Sequence, residues 1–67
     1  LMEGTIINAV VAHAEGHIAK HKANVNLLLV SPTGIADHAN IIETIEHELE
    51  QIAKYHDQIE MLNTYFD

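Results

Sequence analysis

Apolar positions recur along this chain at alternating spacings of four and three residues, in two stretches. Ile7, Val11, Ala14, Ile18, His21, Val25 and Leu28 carry the pattern in the first stretch; Ile42, Ile45, Leu49, Ile52, His56 and Ile59 carry it in the second. A seam of this kind marks a helix packed lengthwise on a neighbour. Each seam is interrupted by a single histidine. Between the two stretches lies one clear turn cluster, Ser31-Pro32-Thr33-Gly34, with the only proline of the chain. Proline lacks a backbone donor and biases the preceding residue away from helical angles, so a helix arriving from the N-terminal side should stop near Val30.

The second helix has two competing starts. Asn40 followed by Glu43 resembles a capping box, and Asp37 offers an alternative cap. The spacing therefore predicts helices over about 4–30 and 41–65 with a loop at about 31–40: an all-α, two-helix antiparallel hairpin forming a single domain over residues 1–67. The stretch Asn24–Val30 begins with polar and apolar residues in alternation and is also compatible with a strand. Helix is the preferred reading, because the seam continues through Val25 and Leu28.

A second pattern on the first helix makes one hairpin insufficient. Ala9, Ala12, Gly16, Ala19 and Ala23 recur at spacings of three and four, and all are small. Ile7 and Ala9 lie about 200° apart around a helix, so the small stripe sits nearly opposite the large one. Solvated helix faces are normally charged. Glycine inside a helix costs about 1 kcal/mol relative to alanine, so Gly16 points to close approach by another helix. Ile6, Val10, Leu27, Leu29, Ile41, Met61 and Leu62 also lie off the seams. The expected outcome is self-association, as a homodimer or higher oligomer in a helical bundle such as a four-helix bundle. Its interface would use Ala9, Ala12, Gly16, Ala19, Ala23, Leu27 and Leu29.

Composition supports that expectation. A chain of 67 residues needs disulfides, metal or association to complete a core, and there is no cysteine. Ten acids against three lysines give a net charge of −7, which disfavours nucleic acid and anionic membrane surfaces. The acids concentrate on the second helix, where most should line a solvated face, with docking of a basic protein as a further use. No run approaches the roughly 20 apolar residues of a transmembrane helix. The stretch from Thr5 to Ala12 is too short and too polar at Asn8 for a secretory signal. A cytoplasmic protein is expected, with Met2 rather than Leu1 as its natural start.

Six histidines are the main candidate chemistry. His13, His17 and His21 share a face at i, i+4 and i+8, and imidazoles so spaced can chelate a divalent transition metal. A hairpin folded about residue 35 brings His13 level with His56, and His17 and His21 level with Ile52 and Glu48. A metal-binding bundle using His13, His17, His21 and His56 is thus the alternative function. The favoured reading keeps His21 and His56 as polar register markers in the seams, with no cofactor. If both are buried and neutral, acid should loosen the hairpin. Glu-x-x-His, His-Glu-x-x-His, a glycine-rich phosphate loop and a nucleophile elbow are all absent, so no enzymatic activity is expected.

The stretch from Met2 through Lys22, MEGTIINAVVAHAEGHIAKHK, together with Ile52–Leu62, IAKYHDQIEML, resembles short uncharacterised proteins of tailed cyanophages, the marine myoviruses. The resemblance implies a phage-encoded accessory or structural protein acting in the host cytoplasm. It brings no functional residues with it.

Overall fold

The computed structural model describes the backbone of residues 2–30 and 38–66, and side chains within 4–30 and 40–66. Two helices make up the described chain: α1, Met2–Val30, and α2, His38–Tyr65. They pack against each other along their lengths as an antiparallel hairpin measuring 51 × 16 × 11 Å. At 1.5 Å per residue, helices of 29 and 28 residues are each a little over 40 Å long, so the hairpin is one pair of rods. The segment Asn24–Val30 is helical throughout. Ser31 to Gly34 and Asp37 lie outside the described residues.

The seam of α1 runs where the spacing places it. Ile7, Val11, Ile18, His21, Val25 and Leu28 are half-buried, and Ala14 is fully buried at 0% exposure. Among the described side chains, no other is so completely withdrawn from water. A fully buried Val, Leu or Ile contributes roughly 1.5–3 kcal/mol, and half-buried ones contribute correspondingly less. Two crossing-free rods can do no better, because each helix has only one face toward the other.

In α2 the seam differs from the spacing-based expectation. Ile45, Ile52 and Ile59 take the expected places, but the positions between them are one residue earlier: Ile41, Glu48 and Tyr55, with Leu62 continuing the row. Ile42 and Leu49 are 58% and 51% exposed, and His56 is exposed. A row of isoleucines seven apart allows either a four-three or a three-four step between them. Counting apolar residues favours Leu49. The structure selects Glu48, because half-buried His21 and Asn24 on α1 need a polar partner and Leu49 has none to offer.

The start of α2 is also revised. The helix begins at His38, so Asn40 lies inside its first turn and does not cap it. The Asn40 carbonyl accepts a hydrogen bond from Thr44 Oγ1 at 2.6 Å, a bond made back along an already formed helix. At the other end the Phe66 N–H donates to the Leu62 carbonyl at 3.0 Å, closing the last turn.

Candidate functional site

The histidine row of α1 lies against the middle of α2. One turn of helix separates each member from the next, so His13, His17 and His21 form a ladder at the junction of the two rods. Its lower end is a polar clasp. His21 Nδ1 donates to Glu48 Oε2, and Asn24 Nδ2 donates to Glu48 Oε1 at 3.2 Å. The side chains of His21 and Glu48 are only 12% and 14% exposed. The hydrogen bond from His21 holds the Glu48 carboxyl below its ordinary value. The Asn24 amide and the charges of His21 and His47 act the same way, against the opposing pull of desolvation.

The upper end is aromatic. The Tyr55 ring stacks on His17 at 4.3 Å between centroids and 5° between planes, and meets His13 edge-on at 6.3 Å and 75°. Lys54 Nζ sits 5.1 Å from the centroid of the same tyrosine. His17 and His21 are stacked at 6.2 Å and 15°. His13 and His17 approach most closely through their outer nitrogens: Nε2 to Nε2 is 3.3 Å, with ring centroids 4.5 Å apart and planes at 70°. Partial desolvation holds the pKa of His17 below its ordinary value, helped by the positive charges that His13, Lys20, His21 and Lys54 can carry nearby.

Of the four histidines considered as ligands, His13 and His17 come together at their Nε2 atoms. His21 is engaged by Glu48. His56 follows Tyr55 on α2, turned about 100° away from it around the helix, and is exposed. Among the described residues no group of three or more His, Asp and Glu side chains is arranged to hold a metal ion. The exposed position of His56 also removes it as a seam marker and as a buried acid sensor. His21 keeps the marker position, with Glu48 as its partner.

The small-residue stripe is open. Ala9, Ala12, Gly16, Ala19, Ala23, Leu27 and Leu29 are all exposed, and a Cβ built on Gly16 would meet nothing within 4 Å. Close approach at Gly16 is therefore not a need of the hairpin itself. A shallow groove of about 270 Å³ runs along Ala12, His13, Gly16, His17 and Lys20, so the stripe and the imidazole pair share one surface. Near the chain ends Val10, Asp57, Gln58, Met61, Leu62 and Phe66 line a second, largely apolar groove of about 330 Å³.

Tyr55 and Asn24 do not emerge from the spacing reading. A signal for both was present: a polar His21 in one seam calls for a polar partner in the other. Glu48 satisfies it, and moving the α2 row onto Glu48 brings Tyr55 into the junction. Among the described residues no helix is long and apolar enough to cross a membrane. No protein-family model, curated protein or solved structure matches the chain.

Proposed function

We propose that the protein is a non-enzymatic self-association module: a helical hairpin that completes its core against further copies of itself, with a two-fold dimer forming a four-helix bundle as the simplest arrangement. The observation that carries this reading is the apolar surface left over. Large apolar side chains on both helices stay outside the hairpin, from Val10 at 41% to Val30 at 77% exposure, while among the described residues full burial reaches only Ala14. Exposed apolar surface on this scale marks an interaction face.

Charge argues for a copy joined through α1. The exposed acids Glu43, Glu46, Glu50, Asp57 and Glu60 lie on α2. The row Ala9, Ala12, Gly16, Ala19 and Ala23 on α1 is uncharged and open, so pairing there turns the acids outward. The resemblance to cyanophage proteins supports a phage-encoded accessory or structural role in a host cytoplasm.

Sedimentation equilibrium across protein concentration tests the reading. A dimer or larger species is expected, more strongly associated at high salt, because screening relieves repulsion between copies of net charge −7. A monomer throughout would refute it. Capture of a basic protein that weakens with salt would favour the adaptor reading instead.

A further inference from the structure

We propose that His13 and His17 form an open two-imidazole chelate for a divalent transition-metal ion, with Tyr55 as the residue that positions it. This inference does not depend on self-association. Two nitrogens each about 2.0–2.1 Å from a tetrahedral ion stand about 3.4 Å apart. The Nε2 atoms of His13 and His17 are 3.3 Å apart already. The same approach serves the free protein as a hydrogen bond between the rings. Both rings can carry their proton on Nδ1, and each then presents an Nε2 lone pair to the ion.

Three further observations fit a ligand pair. The His17 ring is held flat against Tyr55 at 4.3 Å, so little side-chain freedom is lost when it binds. Its lowered pKa keeps it neutral, and therefore able to ligate, near pH 7. The groove beside the pair is floored by Ala12 and Gly16, and a Cβ at Gly16 would meet nothing within 4 Å. The outer coordination positions thus face open space, where water or an incoming donor completes the sphere. Imidazole donors select copper, nickel and zinc over magnesium and calcium. Lys20 lines the same groove and opposes a cation there.

Isothermal titration of the protein with nickel, zinc and copper chlorides tests the site, with circular dichroism to verify the fold. One saturable site at micromolar to sub-millimolar metal is expected, with copper bound most tightly, as the Irving–Williams order requires. His13→Gln alters an exposed residue and should leave the helices intact while weakening binding at least tenfold, as should His17→Gln. His56→Gln and His47→Gln should bind as the parent does, and Lys20→Gln should bind more tightly. Tyr55→Phe should keep the parent affinity, and Tyr55→Leu should weaken it by releasing the His17 ring. Binding should weaken as the solution is acidified, because protons compete with the metal for imidazole nitrogens. No saturable binding, or binding unchanged by both His13→Gln and His17→Gln, overturns the site. Equal affinity in Tyr55→Leu overturns the positioning role.

Discussion

At the scale of residues, the hairpin is held in register by a polar clasp inside an apolar seam. Glu48 accepts from both His21 and Asn24, so removing it leaves two donors without an acceptor in a half-buried setting. Glu48→Ala should lower the melting temperature. The double variant His21→Leu/Glu48→Leu should recover only part of that loss, because the half-buried Asn24 still lacks its acceptor. Acid should destabilise the fold in two steps. His17 has a lowered pKa in the folded state, so the stability it contributes is complete above its ordinary value of 6.5 and is lost as pH falls below it. Glu48 is also lowered, and its contribution is lost as pH falls below 4.5. Melting temperatures from pH 8 to 3 should fall through both windows. A His17→Gln variant should lose the upper step, and persistence of that step would assign it to another histidine.

At the scale of elements, the phase of α2 was the part hardest to read from the chain. The α1 seam was legible residue by residue, since Ala14, Ile18 and Val25 have no large apolar neighbour and fix the phase where Ile6, Val10, Leu27 and Leu29 compete. In α2 the isoleucines at 45, 52 and 59 were legible, but Ile41 and Ile42 compete, as do Glu48 with Leu49 and Tyr55 with His56. A paired-cysteine experiment checks the phase. His21→Cys with Glu48→Cys should close an intrachain disulfide, and His21→Cys with Leu49→Cys should not. Gly16 offers a second element-scale test, with opposite signs at two levels. Gly16→Ala should raise the stability of α1 by up to about 1 kcal/mol, because a methyl group there meets nothing in the hairpin. If Gly16 faces a second helix in the assembly, the same change should weaken association in a dilution series.

At the scale of the whole molecule, two rods can cover one stripe each, and this chain carries more apolar surface than that. Melting temperature should therefore rise with protein concentration, as mass action demands when the folded form is the one that associates. Ala12→Glu should lower the mass in solution toward that of one chain, by placing a charge on the small stripe of α1. An unchanged mass would move the interface to the groove lined by Val10, Met61, Leu62 and Phe66.

What the sequence by itself determined is the existence, approximate extent and antiparallel pairing of two helices, and every seam position of α1. These follow from periodicity and from one proline, both of which act locally along the chain. Which face of α2 turns inward, and that Tyr55 and Glu48 rather than His56 and Leu49 meet the histidine row, only the tertiary structure decided. Local spacing fits both phases equally. The choice arises from partners on the other helix, where a half-buried imidazole and amide require an acceptor and an aromatic ring finds a flat neighbour.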